Sequence, residues 1–356
     1  MTVPSMMNAV LLHDHGGPEV LRYQQVPTPT AGPGQVLVAV QAVALNHLDL
    51  WVRRGGPAFH LQYPHCLGSD IVGTVAALGA GVVEPVLGSK VVVSPGLSCG
   101  VCAACLSGRD NLCRHYRIMG ENAQGGYCDY IVVPRVNLAP YPERLEFTDA
   151  AAGILPFLTA WQMVVEKAQT TVNDTVLVHG AGSGIGVAAI QICKLLGARV
   201  IATAGSDQKL QRAKSLGADE VINYQTNDFA AVCRTLTHKR GVDVVIEHIG
   251  GEVFEKSIKA VRNGGRIVTC GATAGFSPAI DLRHIFFRQI EVLGSTMGSK
   301  AALLTVLDHI ARGRLSPVVD RVFDLRDAAA AHQHLESRTA FGKVVLRVGT
   351  NAGPTT

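Results

Sequence analysis

From Thr175 to about Gly294 the chain alternates short runs of β-branched and aliphatic residues with longer stretches whose apolar positions recur at helical spacing. TVLVHG leads into GIGVAAIQICKLLGA, RVIATAG into SDQKLQRAKSLGA, DEVINY into NDFAAVCRTLTHKRG, and VDVVIEHIG into GEVFEKSIKAVRNGG. RIVTCGATAG and IEVLGST supply two further strands. Gly197, Gly217, Gly241 and Gly264 read as the helix stops. Strand and helix in alternation predict βαβ units and a parallel, doubly wound sheet, an α/β fold. Before Thr175 the texture changes. GQVLVAVQAVALN, DIVGTVAALGAGV, SKVVVSPG and YCDYIVVPRVNLAP are short strands broken by Gly and Pro, and predict a separate β-rich domain. ALLTVLDHIARGRL and GKVVLRV are expected to return to it. The expected boundaries are therefore 1–155 with 299–356 for the β-rich domain and 156–298 for the α/β domain. The tail GTNAGPTT is expected to fray.

A chain of 356 residues can bury two such cores. With 47% hydrophobic and 17% charged residues its composition is globular, and a scattered net charge of +4 is too mild for a nucleic-acid footprint. The N-terminal MTVPSMMNAVLLHDHGG has no basic leader region, and its apolar run stops at His13, unlike a signal peptide. Thr175 to Cys193 is free of Asp, Glu, Lys and Arg, but its four glycines and its place between strand and helix argue against a membrane span. The expectation is a soluble, cytoplasmic protein with no nucleic-acid or membrane partner. In that compartment its nine cysteines should stay reduced.

Four of those cysteines fall in SCGVCAACLSGRDNLC, at C-x2-C-x2-C-x7-C. In a reducing compartment, clustered CxxC pairs favour zinc over disulfides. Cys99, Cys102, Cys105 and Cys113 would give a closed four-thiolate site near 98–114, and a closed site leaves no position for substrate, so one structural zinc is expected. Any chemistry lies elsewhere.

The first strand-to-helix turn of the parallel region reads VHGAGSGIGVAAIQ. Glycines there permit a tight turn and close approach of a pyrophosphate to a helix N-terminus. G-x-G-x-x-G fails because Ile185 stands at the third glycine; Gly180, Gly184 and Gly186 instead give G-x3-G-x-G, enclosing Gly182 and Ser183. Short-chain dehydrogenases share that spacing, but they need Y-x-x-x-K, and no tyrosine here has Lys four residues on. About twenty residues past Gly184, where a ribose-binding carboxylate would indicate NAD, the chain reads IATAGSDQK. Asp207 looks more like a helix cap than a ribose ligand. Small residues followed by Lys209 and Arg212 leave room and charge for a 2′-phosphate, or else form a solvated helix face. NADPH is favoured, with NADH as the other possibility, and Gly205, Ser206, Lys209 and Tyr224 are the candidate contacts.

With these pieces in place, the chain resembles the medium-chain dehydrogenase/reductase superfamily over nearly its whole length. The lobe C-G-x-C-x2-C-x2-G-x4-C and the stretches GGPEVL, GARVIATAGS and FGKVVL carry the likeness. The resemblance implies a Rossmann domain inserted into a GroES-like catalytic domain bearing a zinc lobe, and a homodimer or homotetramer. It also implies cofactor contacts from His47, Ile185, Gly271 and Lys343. Alcohol dehydrogenases of this family hold a second, catalytic zinc by a Cys, a Gly-His-Glu triplet and another Cys. The matching positions here are Asn46, Gly68-Ser69-Asp70 and Leu155, and Leu48 replaces the hydroxyl of the alcohol proton relay. Asp70 alone cannot hold zinc; His47, His65 and Cys66 would have to build an unorthodox site. Losing that Lewis acid removes several kcal/mol of alkoxide stabilisation, whereas hydride addition to a quinone or enone needs only one or two hydrogen-bond donors. Asn46 is such a donor, as in quinone oxidoreductases of the family, or else bonds backbone in its loop. Trp51 walls the pocket or belongs to the core, Thr159 matches a threonine near the nicotinamide, and Asp49 organises the site. The expected activity is NADPH-dependent reduction of a small quinone or α,β-unsaturated carbonyl without catalytic zinc. The alternatives are an alcohol dehydrogenase with a remodelled metal site and a non-catalytic NADPH-binding protein.

Overall fold

A computed structural model describes residues 3–56 and 59–349, so the tail beyond Gly349 lies outside the described residues. The chain divides into two compact units, Met1–Leu155 with Ser299–Thr356, and Pro156–Gly298.

The second unit is an α/β layer structure built on a six-stranded parallel sheet. Its strands in chain order are Thr175–Val178, Arg199–Ala204, Glu220–Asn223, Val242–Glu247, Val261–Thr269 and Glu291–Gly294. Across the sheet they run third, second, first, fourth, fifth, sixth, so the order reverses at the first strand, where doubly wound sheets bind nucleotides. The first and fourth strands are buried at every residue, as central strands covered on both faces must be. Leu177, Ile201, Val245 and Ile267 from the sheet pack with Phe229, Phe254 and Ile258 from the helices. Gly197 and Gly217 follow their helices with positive φ, as expected for stops. The other two do not work that way: the helices before Gly241 and Gly264 end earlier, at Leu236 and Ala260. Val261 is already extended because it is buried in register with Val242, and pairing overrides the helical pattern.

The first unit contains a seven-stranded sheet in the order Leu138–Pro140, Lys90–Val93, Asp70–Leu78, Gln35–Ala44, Lys343–Arg347, Val319–Asp324, with Tyr130–Pro134 also pairing to Gln35–Ala44. A smaller sheet joins Arg22–Pro27, Met6–Leu12 and His65–Cys66. Alternating apolar residues such as Val36, Val38 and Val40 point into a core shared with Leu12, Ile71, Val133 and Leu346. Ala44 is a register point: it pairs with Asp70 on one side and with Val345 on the other. Side chains alternate along a strand, so Asp70 and Lys343 emerge on the same face, beside the end of the Gln35–Ala44 strand.

Arg53, near the end of the helix His47–Arg54, is only 1% exposed. It bonds Gly16 O at 3.2 Å and His332 Nδ1 at 3.2 Å, and pairs with Glu336. A guanidinium can only donate, so His332 Nδ1 accepts and its Nε2–H donates to Tyr127 Oη at 3.1 Å. Burial, then the charge of Arg53, pushes His332 down to about 3, keeping the ring neutral. Tyr127→Phe should cost about 1 kcal/mol by orphaning that N–H. Arg53→Ala should cost about 3 kcal/mol, since Glu336 reaches solvent and softens the loss. Chemical denaturation of both variants checks the order, and equal or negligible losses would contradict the network.

Candidate functional site

Asn46 lies between the Gln35–Ala44 strand and the helix His47–Arg54, whose N-cap it is. Asp49, one turn in, takes the Asn46 N–H on Oδ2 at 2.7 Å, the reciprocal half of a capping box. Its Oδ1 takes the Gly68 N–H at 2.9 Å. One carboxylate thus ties the helix start to the Gly68-Ser69-Asp70 triplet. Burial at 1% exposure pushes the Asp49 carboxyl up to about 7, against the pull of those N–H groups and of Lys343.

Asp70 is wholly buried. Its Oδ1 accepts the Leu155 N–H at 2.7 Å, and its Oδ2 meets Lys343 Nζ at 2.9 Å and Asn46 Nδ2 at 3.0 Å. Lys343 Nζ also donates to Asn46 Oδ1. Ammonium can only donate and ionised carboxylate can only accept, which fixes the amide: oxygen toward Lys343, nitrogen toward Asp70. One amide N–H is then engaged, and among the described residues the second has no acceptor. The resemblance implies a cofactor contact from Lys343; the register through Ala44 brings its ammonium into this triangle.

The other positions of a remodelled metal site are committed elsewhere. Ser69 Oγ donates to Met119 O at 2.7 Å, His65 Nε2 lies 3.3 Å from Gly120 O, and the Cys66 thiol points at Leu67 O. His47 stands edge-on to Trp51, ring centroids 6.4 Å apart, with its pKa pushed down by burial and then by Arg338, Lys343 and Arg54. Among the described residues the one grouping of three or more metal-ligating side chains is Cys99, Cys102, Cys105 and Cys113, whose sulfurs lie within 4.8 Å of one another. Cys102 and Cys105 are 3.5 Å apart and Cys99 and Cys105 3.9 Å; four sulfurs tetrahedral about zinc would stand about 3.8 Å apart. The Val101 and Cys102 N–H groups lower the Cys99 thiol to about 6, and Cys99 and His115 donate N–H to the Cys113 sulfur. Lys300 grips the lobe from the returning chain, bonding Asp110 Oδ2 at 3.0 Å and Ser98 Oγ at 3.2 Å. The donor set fits zinc, and these four thiolates would hold it.

In the second unit the glycine turn joins Thr175–Val178 to the helix Gly184–Leu195, with Ile185 as its second residue. Gly180 has φ +58, and a Cβ on Gly186 would stand 2.2 Å from Gly180 O, so helix and turn meet at backbone distance. Ser183 caps the helix, taking the Gly186 N–H at 2.9 Å and bonding His248 Nε2 at 3.0 Å. His248 escaped the sequence reading; its one signal was its place just past a wholly buried strand. Gly182 completes the turn, and Gly271 follows the strand Val261–Thr269. Ser206, not Asp207, caps the next helix; Asp207 accepts from Asn223 Nδ2 at 2.9 Å. The second strand ends at Ala204 and is followed by Gly205 and Ser206, so no carboxylate precedes Asp207 there. Gly205 faces the Tyr224 hydroxyl so closely that a Cβ would lie 2.7 Å from it, and Lys209 gives its N–H to Ser206 Oγ. Thr159 Oγ1 and Ser295 Oγ are buried without a hydrogen-bond partner among the described residues. Orphaned buried hydroxyls suit a unit that binds a polar ligand, and these residues fit a dinucleotide.

Residues 32–143 match the alcohol dehydrogenase GroES-like domain and 184–312 the zinc-binding dehydrogenase domain. A crystal structure of an NAD-dependent alcohol dehydrogenase is 52% identical, with a TM-score of 0.93, over 96% of this chain and 100% of that one. An NAD-dependent alcohol dehydrogenase of Saccharolobus solfataricus is 32% identical, covering 96% of this chain and 99% of its own length. The quinone oxidoreductase of Rattus norvegicus is 28% identical over 97% and 99%. Among the described residues no helix is long and apolar enough to cross a membrane. A GroES-like unit and a Rossmann unit, each matched by its own family and together by full-length relatives, make this chain an NAD(P)-dependent oxidoreductase of the medium-chain dehydrogenase/reductase superfamily.

Proposed function

We propose that the protein is an NADPH-dependent reductase adding hydride to a quinone or to the β-carbon of an α,β-unsaturated carbonyl, with one structural zinc and no catalytic metal. The triangle of Asn46, Asp70 and Lys343 carries this reading. The relatives divide between alcohol and quinone chemistry, and the two differ in how an oxygen's charge is stabilised. An alkoxide needs a strong Lewis acid. Here the positions that would hold one are an amide, a hydroxyl bonded to backbone and a leucine, and the remaining carboxylate is neutralised by Lys343. A divalent cation would have to displace a buried ion pair. An amide donor is enough when charge spreads over a conjugated acceptor.

Bound NADPH supplies the hydride. Ser183, Gly184 and Ile185 would hold its pyrophosphate at the helix start, and Ser206, Lys209 and Tyr224 its 2′-phosphate. Asn46 offers its second N–H to the carbonyl oxygen. Lys343, bonded to the amide oxygen, withdraws electron density and strengthens that donor. Asp49 holds both the Asn46 and the Gly68 backbone and so fixes where the donor points.

Reading the triangle this way, Asn46→Ala should lower turnover on the order of a hundredfold with cofactor affinity unchanged. Steady-state kinetics and thermal melts on one preparation separate this from a structural role, which would lower the melting temperature and spare turnover. Metal analysis should find one zinc per chain, lost with destabilisation in Cys102→Ser while turnover of the folded fraction persists. Two zincs per chain with alcohol oxidised would instead favour the remodelled alcohol dehydrogenase. Lys209→Glu should weaken NADPH about tenfold while leaving NADH nearly unchanged, as read by fluorescence titration; equal losses would rule out a 2′-phosphate contact.

A further inference from the structure

The second unit also carries a cleft of about 630 Å3 lined by Arg234, Lys239, Arg240, Arg262, Asn263 and Arg288. It opens where the helix Phe229–Leu236 ends and the strands Val242–Glu247 and Val261–Thr269 begin. Those are the amino ends of a parallel sheet, whereas the glycine turn follows the carboxyl end of Thr175–Val178. The two lie at opposite ends of the strands, so the cleft is separate from the dinucleotide site.

Its cations are under-compensated. Asp243 takes two N–H groups of Arg240, at 2.7 and 2.9 Å, and one of Arg262. Against the upward push of burial, Arg240, the Thr175 N–H and Arg262 hold its carboxyl at about 2. One carboxylate thus serves two guanidiniums. Arg288 spends its donors on neutral oxygens, Ile258 O at 2.7 Å, Val261 O and Asn263 Oδ1 at 3.1 Å. Burial, then the neighbouring Arg234, pushes its pKa down. Among the described residues Arg234 reaches only Lys259 O, at 3.5 Å, and Lys239 makes no ion pair. The chain delivers Lys239 through two successive left-handed residues, His238 at φ +50 and Lys239 at φ +66, a conformation that side chains other than glycine adopt at a cost.

We propose that this cleft is a second anion site, taking an oligophosphate. Several negative charges spaced a few ångströms apart, each presenting paired oxygens, are what four guanidinium forks and an ammonium on one wall can satisfy together. A monovalent anion would leave most of that charge unanswered. The volume falls in the range of small-ligand sites, and the polar walls mean that charge, not apolar burial, orders the ligand.

Calorimetric titration of sodium tripolyphosphate into the full-length protein, saturated with reduced dinucleotide at low ionic strength, should give one site per chain. Its affinity should fall as salt is added. Arg234→Gln combined with Lys239→Gln touches no ion pair and should weaken the site about tenfold or more, with dinucleotide affinity and melting temperature unchanged. Three results would overturn the proposal: no binding to the wild-type protein, wild-type affinity in the double variant, or displacement of tripolyphosphate by the dinucleotide.

Discussion

The first unit is organised around a buried ion pair that burial alone would forbid. Asp70 is inaccessible and Lys343 nearly so, and taking either charge out of water alone would cost several kcal/mol. The pair persists because both oxygens of Asp70 have donors: the Leu155 backbone on one, the Asn46 amide and the ammonium itself on the other. Asp70 and these three partners come from four separate stretches of chain. Sheet register brings three of them together at Ala44, so the electrostatics of the site and the pairing of the sheet are one constraint. A slip of one residue in either pairing would turn Asp70 or Lys343 to the opposite face and strand a charge in the core.

Under the proposed function, the same pair accounts for how a metal-using scaffold would work without a catalytic metal. In the alcohol-oxidising members a divalent cation would answer the buried acid. Here an ammonium on the chain answers it, and on the proposed function the Asn46 amide takes over the task of meeting the substrate oxygen. The closed four-cysteine lobe is a different matter. Its sulfurs converge whatever the chemistry at Asn46, because the lobe is held by its own turns and by Lys300.

Much of this was legible in the sequence because it is local. Alternating apolar runs gave the six parallel strands, Gly180, Gly184 and Gly186 marked the turn, and four cysteines within fifteen residues marked the lobe. What escaped is what depends on distant pairing. The pairing of Lys343 with Asp70 went unread because a single sequence does not reveal that Val345 lies beside Ala44. The helix before Gly264 read too long because Val261 answers to Val242 rather than to its own neighbours. His248 carried no motif, and Arg234, Lys239, Arg240, Arg262 and Arg288 are ordinary surface charges until the fold gathers them.

The discontinuity of the first unit sets an order on how the protein comes into being. Pro156–Gly298 is one unbroken stretch and has all its strands once the ribosome has passed it. The strand Gln35–Ala44 must wait for Lys343–Arg347, some three hundred residues later, and so must Asp70 for its counter-charge. A nascent chain that has completed its nucleotide unit therefore still holds an unanswered acid and an unpaired sheet edge in the other, the state most exposed to misfolding. Closure by the last strand finishes the sheet and neutralises the core in a single event, so a chain truncated before Lys343 would have neither.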